Sequence, residues 1–239
     1  MKTESPALFI TGAGRGIGRA IAVAFAGEGY DVALLARSAD QLRATAAECQ
    51  AKGVRALVLP ADMTEVPGVR EAVARAFQEF GRLDVLVNNA GYFKVVPVAD
   101  MDLADWERTL AVNLTGAFVC AQAVLPHMLA RGSGTIINIA SLAGKKWYRH
   151  QGAYCASKFG LLGFSKVLAA ELRDQGIRVT AICPGGVDTQ LVRDQRDDVD
   201  FSQYMRPESI AKLCLFVAQL PPDAAIDEVM IRRVGADPM

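Results

Sequence analysis

Short, almost wholly apolar runs alternate with longer amphipathic stretches along this chain, and that rhythm restricts the fold more than any other feature. Ala7 to Thr11, Asp31 to Ala36, Val54 to Pro60 and Leu83 to Asn88 are the early apolar runs. Helical patterns from about Gly16 to Glu28, Ser38 to Lys52 and Val69 to Phe80 separate them. A strand that does not alternate polar with apolar residues is one covered on both faces. Such strands, joined by helices of this length, make βαβ units and a parallel sheet. The rhythm continues with a helix near Leu103 to Val112, a long uncharged helix, and a strand at Thr135 to Ala140. A helix carrying Tyr154, a strand at Arg178 to Cys183, a helix near Pro207 to Gln219 and a short strand around Glu228 to Arg232 complete it. No linker or repeat divides the 239 residues, so one α/β domain over 1–239 is expected.

Composition narrows the function classes. Lys plus Arg equals Asp plus Glu at 26 each, interspersed, so no global field draws in nucleic acid or an anionic membrane. Cys49, Cys120, Cys155, Cys183 and Cys214 are scattered and form no C-x-x-C, the pattern of buried thiols in a reducing, cytoplasmic setting. His127 and His150 lie far from each other and from any cysteine cluster, which speaks against a metal site. The N-terminal residues show no cationic segment leading into an apolar one, so no signal peptide is read there. Thr109 to Ala130 lacks formal charge over a membrane-spanning length, but Asn113, Gln122, Pro126 and His127 would be penalised by hydrocarbon. A helix packed inside the protein or against a second subunit is the expectation.

Thr11-Gly-Ala-Gly-Arg-Gly-Ile-Gly18 joins the first strand to the first helix. Glycines let a pyrophosphate approach the backbone, and the helix N-terminus beyond offers free N–H groups. The spacing is neither G-x-G-x-x-G, which would need glycine at Ile17 or Arg19, nor a Walker loop; it is T-G-x-x-x-G-x-G. Further on, Tyr154 and Lys158 stand four apart, one helical turn on one face. A free phenol ionises near pH ~10, and an adjacent ammonium would lower that value and make it a usable acid or base. Ser141 lies shortly upstream.

Together, Thr11-Gly12-x-x-x-Gly16-x-Gly18, Asn88-Asn89-Ala90-Gly91, Asn113, Ser141, Tyr154-x-x-x-Lys158 and Pro184-Gly185 resemble, in order and spacing, the short-chain dehydrogenase/reductases. The resemblance runs from about residue 7 to 190. It implies a Rossmann-like doubly wound parallel sheet of about seven strands, flanked by helices on both faces, with a dinucleotide at the strands' carboxyl ends. It assigns Tyr154 as catalytic acid/base, Lys158 to tune it and hold ribose hydroxyls, Ser141 to polarise the substrate oxygen, and Asn113 to hold a relay water. A buried amide satisfying a helix irregularity is the other reading of Asn113. Gly12, Gly14, Arg15, Gly16, Ile17 and Gly18 would cradle the pyrophosphate; Asn89, Ala90 and Gly91 would line the adenosine side. Asp62 would meet the adenine amine, unless it caps the helix starting near Thr64. Pro184, Gly185, Val187 and Thr189 would sit at the nicotinamide.

The second strand ends in Ala36 and then Arg37, with no acid to accept from a ribose 2′-hydroxyl. Arg37, helped by Arg15, could clamp a 2′-phosphate, so NADP(H) is expected, with NAD as the alternative and carbonyl reduction as the direction. The substrate is a small carbonyl or alcohol, a 3-oxoacyl thioester being one option. Its pocket is expected from Tyr92-Phe93-Lys94, Lys145 to His150 and Gln190 to Tyr204, with residues about 188–206 as a lid. The cations there would meet an anionic group or simply be solvated. Dimerisation through the Asn113 and Tyr154 helices is expected, using Ala117, Gly160 and Gly163. The ending from Asp227 to Gly235 departs from the family's commonest tail, which leaves homodimer and homotetramer both open. Two other functions compete: an alcohol or sugar dehydrogenase working oxidatively, and a dinucleotide-binding sensor without turnover.

Overall fold

The computed structural model describes residues 5–237; the first four residues, where most of the leader reading falls, and the last two lie outside them. Each apolar run becomes a strand: β1 Ala7–Thr11, β2 Asp31–Ala36, β3 Ala56–Pro60, β4 Val85–Asn88, β5 Gly134–Ile139, β6 Ile177–Pro184 and β7 Glu228–Ile231. All pair in parallel, in the order β3-β2-β1-β4-β5-β6-β7. The sheet is buried on both sides, which is why its strands read as unbroken apolar runs. Phe9, Ala33 and Leu35 point into one core, while the alternate residues Leu8, Ile10, Val32 and Leu34 point into the other.

Helices α1 (Gly16–Gly27), α2 (Ala39–Gln50) and α8 (Pro207–Ala218) cover the second core. Helices α3 (Val66–Phe80), α5 (Gly116–Arg131) and α6 (Gly152–Leu172) cover the first; α4 (Leu103–Leu110) runs into α5 through a π turn at Ala111–Thr115. The chain winds outward from β1 to β3 and then returns to place β4 on β1's other side. That reversal leaves a crevice outside the carboxyl ends of β1 and β4, where an open α/β sheet takes its ligand.

One expectation holds here and one changes. The run Leu103–Arg131 is long and apolar enough to cross a membrane by length and composition, but it is not one regular helix. Val119, Cys120, Val124 and Met128 on α5 are buried in the core beneath the sheet. The polar stretch after residue 188 is not bare loop either. It contains α7 (Gln190–Arg193) and a 3₁₀ turn at Phe201–Gln203. Its base is pinned where Met205 pairs with Val187, with Asp188 N–H donating to the Met205 carbonyl at 2.8 Å.

Candidate active site

The glycine loop is fixed by β4. Thr11 Oγ1 accepts the backbone N–H of Asn89 at 3.0 Å and of Ala90 at 2.9 Å. Asn89 Nδ2 donates back to the carbonyls of Thr11 at 2.9 Å and Gly12 at 3.3 Å. Asn89 therefore shapes the loop through its side chain and borders the crevice as well. Gly12 turns the chain with φ +68°, and a Cβ on Gly18 would press into the Gly12 carbonyl and lie 2.5 Å from Asn89 Nδ2. The first turn of α1 has no side-chain cap, since Arg15 at the N-cap position makes no capping bond. Its free N–H groups and positive dipole end make an anion site.

A cleft of about 710 Å³ starts at this loop and runs past the ends of β4, β5 and β6. It brings together Gly12, Gly14, Arg15, Gly16 and Ile17 with Arg37, Asp62, Asn89, Ala90 and Gly91. Ser141, Tyr154, Lys158, Pro184, Gly185, Val187 and Thr189 line its other part. Of the predicted catalytic and cofactor residues two stay outside, Gly18 behind the loop it supports and Asn113 behind the cleft wall; of the predicted substrate segments, Lys94, Lys145, Lys146, Trp147, Arg149 and His150 do not line the cleft either.

Ser141 follows the end of β5 and accepts the Ala143 N–H at 3.0 Å, which fixes its hydroxyl at the strand end. Tyr154, near the start of α6, is held edge-on by Phe93, ring centroids 4.8 Å apart. Lys158, one turn on and 3% exposed, donates to the Ile139 carbonyl at 2.7 Å, with Nζ 5.7 Å from the Tyr154 ring centre. The electrostatics differ from expectation. Burial pushes the Tyr154 phenol up to about 12, and a hydrogen bond with Ser141 only partly opposes it. Burial also pulls the Lys158 ammonium down to about 8. In the protein alone desolvation is the largest influence on the phenol, so it is raised and not lowered.

Asn113 sits at the centre of the π turn, and every polar group of its amide is used. Oδ1 accepts the Tyr92 N–H at 2.7 Å, while Nδ2 donates to the Tyr92 carbonyl and to Ser157 Oγ, each at 2.9 Å. Its side chain thus pins the loop after β4 to α6. Asp62 accepts from Thr64 N and Oγ1, each at 3.0 Å, so it shapes a turn two residues before α3, which begins at Val66. Burial works to raise the Asp62 carboxyl, but the Thr64 hydrogen bonds and the charges of Arg37 and Arg108 hold it below its ordinary value. The cations at this end are loosely held: Arg37 is 4.0 Å from Asp62 and Arg15 is 3.8 Å from Asp194.

Sequence reasoning missed several lining residues of this cleft, Arg108, Ser38 and Gln151 among them. Arg108 projects from α4 over the Tyr92 ring, 5.1 Å from its centre, and reaches the cleft from a helix with no motif of its own. Ser38 lines it beside Arg37 while capping α2, and Gln151 lines it one turn before Tyr154. The signal for Gln151 was its place three residues before Tyr154, at the N-cap position of that helix.

The model of the short chain dehydrogenase family matches residues 6–200. The chain is 37% identical over 223 residues to a 3-oxoacyl-[acyl-carrier-protein] reductase of a Synechocystis species, covering 91% of this chain and 90% of that protein. It is also 37% identical over 226 residues to D-threitol dehydrogenase of Mycolicibacterium smegmatis, covering 91% and 87%. A metagenomic short-chain oxidoreductase solved in complex with NADP superposes with a TM-score of 0.85 at 35% identity, covering 96% of this chain and 97% of that one. With the parallel sheet, the glycine loop and the Ser141–Tyr154–Lys158 group on one cleft, this chain belongs to the short chain dehydrogenase family.

Proposed function

We propose that the protein is an NADP(H)-dependent oxidoreductase that reduces a small carbonyl compound to an alcohol. The observation that carries the reading is the single cleft with an anion site and two loosely held arginines at one end and Ser141, Tyr154 and Lys158 at the other. The residues fit a dinucleotide: the Gly12–Gly16 loop and the α1 N-terminus would hold its pyrophosphate, the loop's shape depending on Gly12 and Gly18, whose lack of a Cβ lets Asn89 pack against it. Arg37 and Arg15 would hold the 2′-phosphate, Asp62 the adenine, Lys158 the ribose hydroxyls, and Val187 and Thr189 the nicotinamide end. When bound, NADPH supplies the hydride that the carbonyl carbon takes.

The side chains supply the rest. Oxygen gains negative charge as the carbonyl is reduced, so it needs donors already aimed at it and a proton. Ser141 presents a hydroxyl fixed by the Ala143 N–H. A phenol pushed up to about 12 keeps its proton at neutral pH, so Tyr154 starts as an acid. The Lys158 ammonium, close beside the ring, steadies the phenolate left after transfer. A protonated starting state favours reduction over oxidation.

The reductase relative makes a 3-oxoacyl thioester a reasonable substrate class, and the D-threitol dehydrogenase relative keeps alcohol oxidation as a second reading. A panel of ketones, quinones and oxoacyl thioesters, followed at the nicotinamide absorbance with NADPH, tests the proposal. Oxidation of NADPH by at least one carbonyl class is expected; activity confined to alcohols with NAD would overturn it.

We also propose a homodimer through α5 and α6. Phe118, Phe159 and Val167 are exposed there at 44, 48 and 57%, an apolar surface that a second copy would cover. Of the small residues expected to serve, Ala117 is buried within its own subunit and Gly160 packs on Leu114, leaving Gly163 open. Light scattering should give at least twice the mass of one chain. The five unpaired cysteines suit the reducing cytoplasm.

A further inference from the structure

Gln151 immediately precedes α6 and is 7% exposed. Among the described residues, the enclosed side-chain polar atom without a partner is Asn88 Oδ1; the Gln151 amide makes no hydrogen bond either, but its atoms remain reachable by solvent from the cleft. Its two donors and its acceptor are therefore open to a molecule that enters the cleft. The residue lines the same cleft as Ser141 and Tyr154. Its neighbours on that wall are Phe93, Leu142, Tyr148 and Tyr204, none of which brings a charge. Arg196, which also lines the cleft, is already engaged by Asp198 at 2.6 and 3.0 Å. A neutral, two-sided hydrogen-bonding group therefore stands free one helical turn from the proposed proton donor.

We propose that Gln151 determines specificity by hydrogen-bonding a second, uncharged oxygen of the substrate. The preferred substrates are then carbonyl compounds bearing a hydroxyl or carbonyl oxygen on the α or β carbon. The proposal rests on the reductase reading above. Gln151, at the N-cap position of α6, and Tyr154 line the same cleft three residues apart, so the amide can reach an oxygen near the one held by Ser141 and Tyr154. Because the amide can both give and accept, it can serve an ester, a thioester, a second ketone or a hydroxyl. It offers no charge to select a carboxylate.

The test compares kcat/KM with NADPH for matched pairs: ethyl acetoacetate against methyl pentyl ketone, and hydroxyacetone against butanone. The unaltered protein should prefer the dioxygenated member of at least one pair. In Gln151→Met that preference ratio should fall about tenfold or more, the scale of one hydrogen bond in a desolvated site. Gln151→Asn, with the amide one carbon shorter, should give an intermediate fall, and it carries the test if the methionine variant does not fold. A ratio within about twofold of the unaltered protein in a folded variant would overturn the role of Gln151 while leaving the reductase reading intact. If none of the four ketones is reduced while another carbonyl class of the panel is, the Gln151 proposal falls alone; if no carbonyl class oxidises NADPH, both readings fall together.

Discussion

Replacing Lys158 with methionine should make stability depend on pH in a way that reads the cost of burying the ammonium. The folded lysine titrates at about 8 against 10.5 for the free side chain. Below that window both states carry the charge, and the folded state bears the full desolvation penalty, roughly 3 kcal/mol. Between 8 and 10.5 the folded lysine has shed its proton while the unfolded one keeps it, so the unfolded chain binds more protons and stability rises with pH. Lys158→Met removes this dependence. The hydrogen bond to the Ile139 carbonyl is also lost, costing about 1 kcal/mol, but at every pH alike. The difference in unfolding free energy between variant and unaltered protein should therefore move by about 2 kcal/mol from pH 7 to pH 9.5, in favour of the unaltered protein. Buried cysteines and Tyr154 titrate in both proteins and cancel to first order. Urea melts without added dinucleotide, at several pH values, measure the shift. A difference that stays constant within about 0.5 kcal/mol across that range would refute the claim that burial dominates this lysine.

Gly18→Ala should weaken NADPH binding at least about tenfold in a fluorescence titration and lower stability by roughly 1–3 kcal/mol, because its Cβ meets the Gly12 carbonyl and Asn89. Arg37→Ala should cost about tenfold or more in NADPH affinity, one charge-assisted contact, and leave NADH affinity nearly unmoved. Asn113→Ala removes three hydrogen bonds and should destabilise the fold by about 3 kcal/mol in urea, whatever the cofactor.

The sheet was legible because its strands obey a purely local rule. The apolar runs Ala7 to Thr11 and Asp31 to Ala36 predict β1 and β2 to the residue, since strands buried on both faces leave no room for polar alternation. The glycine loop and the Tyr154–Lys158 spacing were legible for a related reason: each is a short segment whose spacing sets its geometry. What escaped depends on contacts between distant segments. The π turn around Asn113 bears out the alternative reading of a buried amide at a helix irregularity, but its partners Tyr92 and Ser157, 21 and 44 residues away, could not be named from spacing. α7 lies in a polar stretch where Arg193 is held by Asp188 and stacks 4.3 Å over Phe201, pairings with no periodic signature. The direction of the Tyr154 shift was misread because spacing shows a charged neighbour but not the depth of burial, and here depth prevails. Gln151 drew no attention because its lack of a hydrogen-bond partner is visible only once the cleft is formed.

The proton donor is the centre of the account, and Tyr154→Phe tests it most directly. The substitution removes one hydroxyl and keeps the ring that packs on Phe93. With the best carbonyl found in the panel, kcat should fall about a thousandfold, while NADPH affinity by fluorescence titration stays within about threefold. A folded phenylalanine variant that keeps kcat within about tenfold of the unaltered protein would show that the proton comes from elsewhere.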